Sequence, residues 1–138
     1  MIINKHSAGG VVIHENKVLT ISWTTREYVA FPRGGINDGE SSKAAAVREV
    51  FEETGYRTKV LTPIDSWTYE FDESSKHYRK TVDYYLMELI DNTEPTPERE
   101  AGEDFENLWL DSDSARKKLT FDDAKGALKI AISKHQRI

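Results

Sequence analysis

The sequence predicts one domain of mixed α/β (α+β) type, with strands set around a central helix and a second helix at the C-terminal end. Three observations carry that reading. Short runs rich in Val and Ile recur between turn-forming residues. The stretch Ser42–Thr54 places apolar residues at helical spacing, and residues 121–135 do so again. At 138 residues the chain is long enough to bury a real core and too short for a second one, so 1–138 is expected to be a single domain.

In chain order, residues 7–14 and 17–23 are expected as a hairpin around Glu15-Asn16. Residues 28–31 form a short strand ended by Pro32, which leads into a glycine-rich turn. Ser42–Thr54 is the central helix. Ser41 or Ser42 caps its start, and Gly55 takes the left-handed conformation that ends it. Residues 58–61, 66–71 and 81–90 read as strands, the last two joined by a polar turn at 72–76, and residues 107–110 as one more. The final helix spans about 121–135, with Thr120 as its N-cap, Asp123 in a capping-box-like position, and Phe121, Ala124, Leu128, Ala131 and Ile132 as its apolar stripe.

Composition removes several classes of function. The net charge of -5 and pI near 5.4 argue against general affinity for nucleic-acid backbones. The chain has no cysteine, so disulfides, thiolate zinc sites and cysteine nucleophiles are excluded. The opening residues, Met1 to His6, lack a charged-then-apolar signal pattern, and no apolar run approaches membrane-spanning length. The expectation is a soluble cytoplasmic protein, monomer or homodimer, with no nucleic-acid or membrane partner.

The chemistry is concentrated in residues 34–56. Their helical portion puts Glu49, Glu52 and Glu53 within about 100° of one another on one side of a helix, with Ala44, Val47, Val50 and Phe51 expected on the other. Like charges three and four residues apart repel by roughly 0.2 to 0.5 kcal/mol per pair, a cost that a cation relieves. Oxygen-only ligands without His or Cys favour a hard ion, Mg2+ or Mn2+, over zinc. Gly34 and Gly39 are expected to permit positive φ before the helix and to bring backbone amides close to phosphate oxygens. Glu40 and Arg48 suit an orienting pair, because a guanidinium fork grips a carboxylate at two points where lysine cannot.

Read as a pattern, residues 34–56 fit G-x(5)-E-x(7)-R-E-U-x-E-E-x-G-U, where U is a bulky apolar residue. That is the Nudix box, and the chain resembles a Nudix hydrolase. The resemblance implies an α/β/α sandwich with a mixed sheet, the box helix in the middle and a helix at the C-terminal end. It also implies metal-dependent cleavage of a phosphoanhydride bond in a nucleoside diphosphate linked to another group. Glu49, Glu52 and Glu53 would hold Mg2+ or Mn2+, with the catalytic work falling to Glu52, Glu53 and Arg48. The general base can come from the box or from a glutamate on a later loop.

Outside the box, Phe31-Pro32-Arg33-Gly34, Lys80-Thr81-Val82-Asp83-Tyr84-Tyr85-Leu86 and residues 103–128 resemble the asymmetrical diadenosine tetraphosphate hydrolases and their diphosphoinositol polyphosphate relatives. That branch implies a phosphate contact for Lys80 and a metal-site role, catalytic as well as ligating, for Glu103, six residues before Trp109-Leu110. Glu100 and Glu106 are its substitutes in an acidic loop long enough to carry a function. Gly35 stands where the diadenosine hydrolases often carry histidine, and Tyr56 where an aliphatic residue is usual. Arg33, Gly34, Gly35 and Lys80 are therefore the expected polyphosphate contacts. Tyr84 or Tyr85 is the expected stacking surface for a base, and Trp67, Tyr69 and Phe71 share one strand face that suits either stacking or core packing. Three functions follow from the resemblance. The first is hydrolysis of a dinucleoside polyphosphate such as diadenosine tetraphosphate to ATP and AMP. The second is clearance of oxidised nucleoside triphosphates, or cleavage of ADP-ribose or a nucleotide sugar. The third, from another class, is nucleotide sensing without cleavage.

Overall fold

The computed structural model describes residues 1–25, 27–91 and 104–138. Its elements are β1 (Ile2–His14), β2 (Lys17–Trp23), β3 (Val29–Ala30), β4 (Arg33–Gly35), α1 (Ser42–Thr54), β5 (Thr58–Glu73), β6 (Lys76–Leu89), β7 (Phe105–Asp111), α2 (Ser112–Lys118) and α3 (Asp122–His135). The strands make one mixed sheet along the path β3-β2-β1-β6-β5, with β4 joining β1 and β7 joining β2. Strands β1 and β6 pair in parallel, from Ile2 opposite His77 to Val12 opposite Met87, and the other pairings among the described residues are antiparallel.

Alternation along the strands divides the core in two. Ala8 and Val12 of β1, Leu19 of β2 and Met87 of β6 face Ala45, Ala46 and Val50 of α1. Val11 and Ile13, Val18, and Val82, Tyr84 and Leu86 face the other way, toward Ala115 of α2 and Ala124, Ala127, Leu128 and Ala131 of α3. This is the expected α/β/α sandwich, with α1 on one side and the two later helices on the other. Each fully buried side chain of the Leu19, Leu86 or Leu128 kind contributes roughly 1.5 to 3 kcal/mol to holding the layers together.

The ends of α1 follow from local chemistry. The Ser41 hydroxyl accepts from the amide of Ala44, and Gly55 at φ 82° donates its own amide to Phe51 O. Its buried stripe differs from expectation: Ala45, Ala46, Val50 and Thr54 are buried, Ala44 is exposed, and Val47 and Phe51 are half-buried. The small alanines let the helix axis come close to the sheet, where Val50 packs against Gly10 and Met87.

Other boundaries also move. The hairpin β1–β2 turns at Glu15 and Asn16, both at positive φ, but β1 begins at Ile2 because its first half pairs with β6. Residues 58–61 and 66–71 belong to one strand, β5, whose register shifts around Leu61 and Ile64 absorb Pro63. The turn before it enters β6 is made by Ser74 and Ser75 at positive φ. The glycine-rich stretch after Pro32 is strand β4, held antiparallel to β1 by Gly34 opposite Ala8. Helix α2 was not anticipated: it buries only Ala115, so it has no apolar stripe to read. Its one signal is Asp111, whose carboxylate accepts from the Ser114 amide as an N-cap.

At α3 the N-cap position falls on Phe121, with no side-chain cap, rather than on Thr120. The Thr120 hydroxyl accepts from the Val29 amide instead and ties β3 to the helix approach. Asp123 is not a capping residue either; its carboxylate goes to Arg33 and Tyr84.

Candidate active site

The box residues meet where α1 crosses β4. Arg48 is the hub. Its Nε donates to Glu40 Oε2 at 2.8 Å and its Nη2 to Glu40 Oε1 at 2.9 Å, the two-point grip that only a guanidinium makes. Nη2 also donates to Gly35 O at 2.8 Å, and Nη1 to Glu49 Oε1 at 2.7 Å and Glu52 Oε2 at 3.1 Å. One side chain thus fixes the turn at Glu40, strand β4 and two carboxylates of the helix. The Arg48 hydrogen bond, followed by the Asn37 amide, holds the Glu40 carboxyl down at about 2, and the same bond raises the Arg48 pKa.

Glu53 is fixed separately, its Oε1 accepting from the backbone amide of Arg33 at 2.7 Å. Gly34 lies against Glu49: a Cβ there would fall on the Glu49 carboxylate. Close approach, not positive φ, is therefore the reason for glycine at 34, which corrects the expectation. Gly39, at φ 78°, does need the left-handed region, as expected. Nothing lies within 4 Å of a Cβ at Gly35, so that position is open.

By donor type Glu49, Glu52 and Glu53 suit a hard cation. The Glu52 side chain is more open than that of Glu49, 41% exposed against 14%. Among the described residues no three acidic or histidine side chains stand together closely enough to enclose an ion, since Glu49 and Glu52 lean on Arg48. Glu103 and Glu100 lie outside the described residues. Glu106 is exposed on β7, opposite Ser22.

On the other side of β4 the expected substrate contacts separate. Arg33 does not point free into solvent: its Nη1 donates to Asp123 Oδ2 at 2.7 Å and to the Tyr84 hydroxyl at 3.0 Å. Burial works against its charge, but Tyr84 and Asp123 outweigh it and raise the Arg33 pKa. Tyr84 is 2% exposed, its ring edge-on to Phe31 and Trp67, so it offers no face for stacking; burial is the main reason its own pKa is raised. Tyr85 packs against the α1 side of the core. Lys80 sits across from Tyr69 and Lys5, half-buried and without an ion pair among the described residues. Burial, then the charges of Arg33 and Lys5, lower its pKa.

Beside Arg33 a cleft of about 480 Å³ is lined by Trp67, Thr68, Tyr69, Phe121, Asp122 and Asp123. Two further residues escaped the sequence reading. Asn107 of β7 donates to Thr54 O and holds the end of α1, and Asp83 accepts from Ser42, Ser66 and His6 to hold its start. Neither carries a local signal, because each acts on a residue distant in sequence.

The NUDIX domain model matches residues 4–129. Nudix hydrolase 4 of Arabidopsis thaliana is 30% identical over 114 residues, covering 81% of this chain and 52% of that protein. The asymmetrical bis(5'-nucleosyl)-tetraphosphatase of Mus musculus is 37% identical over 60 residues, covering 44% of this chain and 41% of that protein. In both cases the matched part is about half of the relative's length or less. A crystal structure titled as a C. elegans Ap4A hydrolase binary complex superposes with a TM-score of 0.73 at 20% identity, covering 97% of this chain and 99% of that one, a likeness of fold. With Gly34, Glu40, Arg48, Glu49, Glu52, Glu53 and Gly55 brought to one helix and the strand it crosses, and with the family model matching nearly the whole chain, this protein belongs to the Nudix family.

Proposed function

We propose that this protein hydrolyses a phosphoanhydride bond in a nucleoside diphosphate linked to another group, with Mg2+ or Mn2+ as cofactor and a dinucleoside polyphosphate such as diadenosine tetraphosphate as substrate, cut to ATP and AMP. The observation that carries the reading is the Arg48 hub, which draws Glu40, Glu49 and Glu52 together beside a glycine strand while Glu53 is held by the Arg33 amide. A divalent cation, when bound by Glu49, Glu52 and Glu53, supplies charge neutralisation for the pyrophosphate and Lewis acidity.

The chain's own residues do the rest. Arg48 keeps Glu49 and Glu52 beside β4, from where each has to turn only its carboxylate from the guanidinium to a cation. Glu52, more exposed than Glu49, is a candidate to accept a proton from the attacking water, with Glu103 as the alternative from the later loop. Lys80, half-buried across from Lys5 and without an ion pair among the described residues, is the phosphate contact. The cleft beside Arg33 supplies apolar surface from Trp67, Tyr69 and Phe121 for a base, a role for which Tyr84 is too buried. The dinucleoside assignment is supported by the mouse tetraphosphatase similarity and by the Lys80 to Leu86 stretch.

Turnover with Mg2+ of diadenosine tetraphosphate, a diphosphoinositol polyphosphate, 8-oxo-dGTP and ADP-ribose, with products identified, tests it. The expected result is ATP plus AMP from the first, well above turnover of the others. Faster cleavage of 8-oxo-dGTP or ADP-ribose would keep the chemistry and overturn the substrate; binding without cleavage would favour a sensor.

A further inference from the structure

Strand β4 is the weak member of the site. It has three residues and pairs, among the described residues, with one neighbour, β1. Two of the three residues are glycines, so Arg33 supplies the strand's one side chain of its own, while Arg48 of α1 holds the far end through Gly35 O at 2.8 Å. That side chain reaches away from the box helix, to Asp123 Oδ2 at 2.7 Å in the first turn of α3 and to the Tyr84 hydroxyl at 3.0 Å, and Tyr84 itself donates to Asp123 at 3.2 Å. The backbone amide of the same residue holds Glu53 Oε1 at 2.7 Å. A carboxylate of the box is thus tied through one residue to the C-terminal helix on the opposite side of the sheet.

We propose that Asp123 is a positioning residue: by clamping the Arg33 guanidinium, with Tyr84 as the third member, it sets the place of β4 and hence of Glu53. The inference rests on the reading of Glu53 as a cation-binding carboxylate. The Asp123 and Arg33 side chains are 12% and 20% exposed, so the pair is partly shielded from solvent. Loosening the clamp lets the Arg33 amide move while the rest of the Arg48 hub stays whole. Misplacement of a reacting group by around 1 Å can cost up to about 100-fold in rate, so a partial release should cost about 10-fold.

The test measures kcat, KM and Mn2+ affinity, the last by the spin-resonance signal of free Mn2+, for wild type, Asp123→Asn, Arg33→Gln and the double variant, with Asp113→Asn on exposed α2 as control. The expected result for Asp123→Asn is a fall in kcat of about 10-fold with KM little changed, and weaker Mn2+ binding. Because Asp123 acts through Arg33, the double variant should lose no more than Arg33→Gln alone. Full kcat and Mn2+ affinity with only a lower melting temperature would overturn the proposal and leave Asp123 as a helix anchor. Multiplying losses in the double variant would overturn it too. If Asp123→Asn does not fold, Arg33→Gln, which keeps the amide, decides the same point: wild-type Mn2+ affinity and kcat there would contradict the clamp. Should the wild type cut none of the phosphoanhydrides, Mn2+ affinity still reads the clamp, so the two failures remain distinguishable.

Discussion

The three glutamates of the box helix, Glu49, Glu52 and Glu53, differ in what holds them. Glu49 and Glu52 each give an oxygen to Arg48, whereas Glu53 takes the Arg33 amide, so they are not interchangeable. Replacing the Glu53 carboxylate by an amide removes the negative charge but keeps the shape and one acceptor oxygen. Glu53→Gln should therefore melt within a few degrees of wild type while turnover falls by about two orders of magnitude or more, since a carboxylate that would hold the cation neutralising the phosphates is lost. Paired melting curves and initial rates check this; unchanged turnover would remove Glu53 from the site.

At the scale of elements, the joint between α1 and β4 depends on the missing side chain at Gly34. A Cβ at 34 would fall on the Glu49 carboxylate, whereas one at Gly35 meets nothing within 4 Å. Gly34→Ala should push Glu49 aside and cut turnover at least about 10-fold, and Gly35→Ala should be close to neutral; equal activity of the two would contradict the assigned packing. The same joint explains what could be read in advance. The extent of helix α1 was legible, though not its buried stripe, because Ser41 or Ser42, Gly55 and the Glu40–Arg48 pair are local signals, each within reach of its partner along one helix or turn. Strand β4 was not, because glycine has no strand preference and the pairing with residues 7–9 of β1 creates it. Asp123 was misread for a related reason: an acid in the first turn of a helix looks like a capping residue, and only the tertiary fold brings Arg33 to it. The unbroken run of β5 was hidden by Pro63, whose missing amide is tolerated at an irregularity on an edge strand.

For the molecule as a whole, the sandwich makes the site a meeting of both helix layers, with α1 supplying the carboxylates and α3 the clamp on β4. Its stability should carry the imprint of the Arg48 hub. The Glu40 carboxyl, ordinarily near 4.5, is held at about 2 in the folded chain by Arg48. A carboxylate depressed by folding stabilises the fold above its ordinary pKa, and the contribution drains away as pH falls through the folded value. Glu40→Gln should then melt below wild type at neutral pH, and the two melting temperatures should converge as pH falls from about 4.5 to about 2. A gap that stays constant across that window would contradict the pairing.

The most direct test of the central claim, that these carboxylates serve a cation-assisted cleavage of a phosphoanhydride, is the rate of nucleotide release from diadenosine tetraphosphate by the purified protein under chelator, followed by restoration with excess Mg2+. The account predicts that chelation abolishes release and Mg2+ restores it. Release that persists undiminished under chelator would contradict it.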